Sequence, residues 1–178
     1  MPSVGEAGSR LREKIETMMR LVDRTIDSVR RISSELRPSV LDDFGLVAGI
    51  RWQARQIEAQ AGIVCHCEFH LKDVNLDQMQ STAVFRVFQE ALTNVLRHAR
   101  ASRVDIGLGK ERDQLVMTIR DNGRGITVEE KSDRRSLGLL GMRERVNLVG
   151  GTIDITGIQA EGTVITVSLP LARDLPVY

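Results

Sequence analysis

Between Leu76 and His98 the apolar residues return every three or four positions, and that spacing permits an amphipathic helix and little else. At roughly 100° per residue, Phe85, Phe88, Leu92, Val95 and Ala99 share one side, a stripe shaped to dock on a core. Arg86, Glu90, Thr93, Asn94 and Arg97 share the other, with His98 at its edge. A carboxylate and an amide oxygen one turn apart suit a hard, hydrated cation such as Mg²⁺, and the arginines suit phosphate. By itself this pattern also describes an ordinary solvated helix face. The downstream sequence favours the chemical reading.

Three glycine-rich segments come after the helix. Asp121-Asn122-Gly123-Arg124-Gly125 directly follows a strand, so the Asp121 carboxylate is held by the edge of the sheet. A carboxylate so fixed accepts a hydrogen bond from an exocyclic amine such as that of adenine. Gly138-Leu139-Leu140-Gly141-Met142 opens a helix, where free N–H groups and the positive end of the dipole suit phosphate. Glu161-Gly162-Thr163 precedes the last strand. Singly these are ordinary turns, and none is a Walker loop or a dinucleotide fingerprint. Their order, behind the polar helix face, is the signal.

The rest of the chain places them. Met1 to Ser9 has no periodicity, and residues 1–10 are expected to be a disordered start. Leu11, Ile15, Met18, Val22, Thr25, Val29, Ile32 and Leu36 predict a long helix, with Met19 and Ile26 widening its seam toward a bundle. A core helix would read the same way. The abrupt Arg37-Pro38 stop favours a separate packing or dimerisation helix. Pro38 to Gly45 reads as a linker and Leu46 to Ala61 as a helix ended by Gly62. Strands are expected at Ile63 to Leu71, Arg103 to Leu108, Gln114 to Arg120, Thr152 to Thr156 and Thr163 to Leu169. Leu137 to Val149 returns to helix, and Asp121 to Ser136 reads as a long mobile loop. Adjacent strands in this order imply an α/β two-layer sandwich, a mixed sheet with its helices on one face.

Composition narrows the function classes. A net charge of +1 over 178 residues offers no strong pull toward nucleic acid, and 3% aromatic content leaves few stacking platforms. No apolar run reaches membrane-span length and no signal peptide opens the chain, so a soluble, cytoplasmic protein is expected. In Val64-Cys65-His66-Cys67-Glu68-Phe69-His70 strand alternation sends the thiols and imidazoles to opposite faces. The cysteines therefore read as small buried hydrophobes, not as ligands of one ion.

Glu90-Ala91-Leu92-Thr93-Asn94-Val95-Leu96-Arg97-His98-Ala99 resembles the N box of the sensor histidine kinases. Their ATP-binding domain shares its Bergerat fold with gyrase, Hsp90-type chaperones and the mismatch-repair ATPases. Asp121 to Ile126 and Gly138 to Met142 are similar to the family's two glycine boxes, and Glu161 to Thr163 and Leu169 to Leu171 to its closing segment. The short lid between Ile126 and Leu137, with Glu35 to Pro38 and Leu41 to Leu46, resembles the kinases whose response regulators carry helix-turn-helix outputs.

The resemblance implies ATP and Mg²⁺ as cofactors. Glu90 would be the base or polarising residue and Asn94 the Mg²⁺ ligand. Arg97 and His98 would lie near the phosphates, Asp121 would read the adenine amine, and Thr163 would support it through water. Gly123, Gly125, Gly138, Leu139, Gly141 and Met142 would complete the nucleotide site. The domain division it implies is 11–44 for part of a dimerisation unit, 45–172 for the ATP-binding domain and 173–178 for a tail.

None of His66, His70 and His98 fits the family's phosphoacceptor position, and the first dimerisation helix is not recognisable. The chain therefore reads as a fragment beginning near the second helix, or as a natural truncation. It is not expected to autophosphorylate alone. Expected partners are the histidine-bearing dimerisation domain of the same protein, a homodimeric second copy and a response regulator, the whole including the case of a membrane-bound sensor's cytoplasmic part. An anti-sigma-factor type of serine/threonine kinase and a nucleotide-switched binding module are the alternatives.

Overall fold

The computed structural model describes residues 18–19, 38–71, 76–127, 137–158 and 161–171. Residues 18 and 19 are helical. The remainder of the expected Leu11 to Leu36 helix, most of the expected lid and the C-terminal tail lie outside the described residues. The chain divides into two units, Met1–Arg37 and Pro38–Tyr178, and the second holds the sheet with its helices.

Its elements run α1 (Ser39–Ala61), β1 (Val64–Phe69), α2 (Gln78–Asn94), a π turn (Val95–Ala99), β2 (Arg103–Glu111), β3 (Gln114–Asp121), α3 (Leu137–Leu148), β4 (Thr152–Ile158) and β5 (Gly162–Pro170). The strands form one sheet in the order β1-β2-β3-β5-β4. β1 and β2 are parallel, as a pair joined through a crossover helix can be, and every other neighbour is antiparallel. This is the mixed α/β sheet the element order predicts.

Burial is one-sided. Val104, Ile106 and Leu108 on β2, Leu115, Met117 and Ile119 on β3, Ile155 on β4, and Ile165, Val167 and Leu169 on β5 are buried. They form one core with Leu41, Leu46, Ile50 and Ala54 of α1, Val84, Phe85, Val87, Phe88, Ala91 and Leu92 of α2, and Leu139, Met142 and Val146 of α3. The alternate residues of the strands turn away from that core. Near β1 they form a polar patch in which Asp105 pairs with Arg103 and meets His66 Nδ1 at 3.6 Å. Period-two strands facing helices on one side account for this directly.

α1 begins at Ser39, so most of the expected Pro38 to Gly45 linker is helical, and Gly45 separates it from the helix expected from Leu46. Pro38 supplies a ready-made entry φ of −62°, and Asp42 suits the positive end of the dipole. Leu41, 4% exposed, anchors the turn in the core. Gly45, at φ 74° and ψ 178°, is not helical, so two helical stretches meet at a kink there. At the other end Gly62 adopts φ 67° and its N–H returns to Glu58 O at 3.0 Å.

α2 starts with a reciprocal cap. Asp77 Oδ1 accepts from Gln80 N–H at 2.7 Å, and Gln80 Oε1 accepts from Asp77 N–H at 3.2 Å. The Gln80 side chain also donates to Pro170 O at 3.2 Å, tying the helix start to the end of β5. Phe85 and Phe88, fully buried with ring centroids 6.0 Å apart, fasten the helix to the sheet. The expected helix to His98 is α-helical only to Asn94; Val95 to Ala99 widen into a π turn closed by Arg100 at φ 53°.

Candidate nucleotide site

Asp121 is the last residue of β3, the central strand, so it stands at a strand end inside the sheet and not at the sheet's edge. It is 6% exposed, the one buried polar or charged residue among those described. Its Oδ1 accepts from Gly123 N–H at 2.8 Å. A carboxylate can accept about four hydrogen bonds, so this one keeps acceptor capacity in a place where leaving it unused is costly. A buried acid with spare acceptor positions fits an amine-bearing ligand.

Backbone packs tightly around it. Gly162, at φ 101°, lies so close to Asp121 O that no Cβ would fit, which brings Thr163 beside the Asp121 strand end. Gly123 is pressed in the same way against Ala99 O, at the end of the N-box segment. Gly125 is buried at φ 76°, and the following Ile126 backbone rests on Gly157 of β4. A loop seated on β4 and β5 on one side and on the N-box segment on the other has little freedom at Asp121.

The second glycine segment meets the polar helix face. α3 packs on α2 and β4. A Cβ on Gly138 would overlap Glu90 Oε1, so the first turn of α3 lies directly against the Glu90 carboxylate. Gly141 lies beside the Arg145 guanidinium. Leu139 and Met142 are buried core residues, so only their backbone can face a ligand; the side chains serve packing. Glu90, Thr93 and Asn94 are half-buried and Arg97 and His98 exposed, the polarity their helical phase predicts.

Two guanidiniums, Arg86 and Arg145, also lie near each other where α2 meets α3. Arg86 N–H donates to Gln89 Oε1 at 2.9 Å, and Gln89 donates to Gln53 Oε1 at 3.1 Å. Burial, and after it the neighbouring Arg145, pull the Arg86 guanidinium below its ordinary pKa. Among the described residues no group of three or more His, Cys, Asp or Glu could hold a metal ion. Asn94, half-buried on α2, would hold Mg²⁺ only together with phosphate and water oxygens, the usual way this ion is held.

Among the sequence candidates, direct contacts join Glu90 with Gly138, Gly123 with the end of the N box, and Asp121 with the Gly162-Thr163 turn. Two residues that motif spacing does not single out join the same region: Asn122 and Arg124, whose side chains hydrogen-bond the end of the N box and the segment after it. Only their position inside the glycine box hints at it.

A mixed sheet, a helix carrying the N box and a buried strand-end acid between glycine turns define a nucleotide-binding α/β domain. Residues 79–173 match the model of the histidine kinase-, DNA gyrase B- and HSP90-like ATPases, more than half of the chain. The chain belongs to that family, and ATP is the ligand that membership implies.

Solved structures agree. The histidine kinase domain of the Erythrobacter litoralis EL346 blue-light activated histidine kinase matches at TM-score 0.60 and 27% identity, over 71% of this chain and 61% of that one. The chain thus spans about three-fifths of that domain's length. The Acinetobacter baumannii histidine kinase AdeS matches at TM-score 0.62 and 15% identity, over 97% of this chain and 87% of that one. A mycobacterial sensor histidine kinase, MprB, matches at 0.55 and 21%, over 71% and 92%. These last two show likeness of fold.

Proposed function

We propose that the chain is the ATP-binding catalytic portion of a two-component sensor histidine kinase. Family membership and the 27% identical histidine kinase domain support this reading. The observation that carries it is the buried Asp121 carboxylate, with acceptor capacity left over, at the end of the central strand. Asp121 binds the adenine amine and Thr163 supports it through water. Asn94 would hold Mg²⁺, which would supply neutralisation of phosphate charge. Arg97 and His98 bind phosphate oxygens, and the backbone of Gly138 to Met142 offers further N–H donors. Glu90 orients or deprotonates the attacking group.

Phosphoryl transfer of this kind depends on positioning and charge stabilisation more than on covalent chemistry by the protein. The acceptor is a histidine on a dimerisation domain, and a response-regulator aspartate receives the phosphoryl group next. His66 and His70, on and beside an edge strand, and His98 in the N box are not that acceptor.

The test combines the chain, Mg²⁺-ATP and a histidine-bearing helical-bundle fragment, and assays phosphate stability. Acid-labile phosphoprotein is expected. Acid-stable product would indicate a serine/threonine kinase, and nucleotide binding without transfer a switch module. Asp121→Asn removes one acceptor and places an amide against the adenine amine. It should weaken ATP binding by about 1–3 kcal/mol, read by calorimetry. Undiminished affinity would count against the site.

A further inference from the structure

The N box does not end as an α-helix ends. Val95 to Ala99 form a π turn, which carries one more residue per hydrogen-bonded ring than an α turn and so rotates the chain beyond it. Its last carbonyls need donors from elsewhere. Arg124 supplies them: its Nε donates to His98 O at 2.8 Å, and its backbone N–H donates to Ala99 O at 2.9 Å. Gly123 lies flat on Ala99 O between these bonds and Asp121.

The same loop continues the grip. Asn122 Oδ1 accepts from Ser102 N–H and Arg103 N–H, each at 2.9 Å, and its Nδ2 donates to Ser102 Oγ at 2.9 Å. Residues 98–103 are thereby bound along their length to residues 122–124. One of these segments follows directly on Arg97, the other on Asp121. Arg97 and His98 are exposed, so their placement depends on the backbone that carries them.

We infer that Arg124 is a positioning residue for the phosphate end of the nucleotide. It fixes the reach of Arg97 and His98 by holding the His98 carbonyl with its Nε–H donor. The inference rests on the nucleotide reading above and adds a residue to it. Without the side-chain donor, the backbone N–H still holds Ala99, but the His98 peptide is free to turn back toward α geometry.

The test uses the full chain and measures adenosine and Mg²⁺-ADP affinities for wild type, Arg124→Met and Arg124→Gln. Gln keeps an N–H donor and discards the charge. In Arg124→Met, ADP affinity should fall about fivefold to tenfold while adenosine affinity holds, and Arg124→Gln should recover most of the loss. Hydrogen exchange of the nucleotide-free chain should quicken at the amides of residues 98–103 in the Met variant only. Equal loss in Gln and Met would show that charge is what matters and overturn the inference. Adenosine and ADP weakening together would reduce Arg124 to a general structural role. A wild type that binds neither ligand sinks the nucleotide reading itself, whereas normal ADP binding by the Met variant sinks only the role of Arg124.

Discussion

Glu90 is touched by a residue that has no side chain. Because the Gly138 Cα lies against its carboxylate, Gly138→Ala must displace the end of a flexible side chain and no backbone. Stability should stay within about 0.5 kcal/mol, the usual range for a change the structure can absorb, while phosphotransfer slows as it would in Glu90→Ala. Parallel urea melts and transfer assays check this, and transfer at the wild-type rate would remove Glu90 from the reaction.

The cysteines respond to pH for a different reason. Cys65 and Cys67 are half-buried, not buried as expected, and this partial burial, then Cys67 and Glu58, raises the Cys65 thiol from 9.0 to about 11. The unfolded chain releases this proton near pH 9 and the folded chain near pH 11. The folded state is thus undisturbed below pH 9 and loses stability as pH rises through that window. Urea midpoints should fall between pH 9 and pH 11, less steeply in Cys65→Ala, and a flat profile would refute the assignment.

At the scale of elements, α1 holds a break at Gly45, the residue where the linker expected from the sequence ends. Leu41 and Leu46 are both buried, yet no straight helix joins them, because Gly45 turns the chain through a backbone conformation that belongs almost exclusively to glycine. A Cβ at Gly45 would meet nothing within 4 Å, so any cost of Gly45→Ala is conformational and not steric. Urea denaturation should register a loss of about 1–3 kcal/mol, and a neutral result would mean the kink relaxes. α2 is the contrary case. Its apolar stripe, Phe85, Phe88 and Leu92, continued by Val95 and Ala99 of the π turn, is buried throughout, and the polar stripe is half-buried or exposed, as the period requires. Only the switch to a π turn at Val95 escapes the pattern, because five residues are too few to establish a new period.

Across the whole molecule, the unit from Pro38 onward contains its own sheet and its own core. A chain starting at Pro38 should therefore melt cooperatively. One starting at Leu46 forfeits Leu41 and the first turns of α1, and should be less stable by about 2–5 kcal/mol, the range for emptying a buried leucine site. Calorimetric melts of the two would decide, and equal midpoints would return Pro38 to Gly45 to the status of a linker.

Much of this was readable along the chain. Helix and strand periods, the Gly62 stop, the β2–β3 hairpin and the polar face of the N-box helix are consequences of interactions within a few residues. They leave their mark in local spacing. Asp121 was likewise conspicuous, as an acid between a strand and a glycine turn. Tertiary structure decided the rest: the burial of Asp121, the contact of Glu90 with Gly138, and the hold of Arg124 on His98, 26 residues away. Such contacts join segments that become neighbours only when the sheet assembles, and no periodicity within a segment encodes which remote carbonyl its donors will meet.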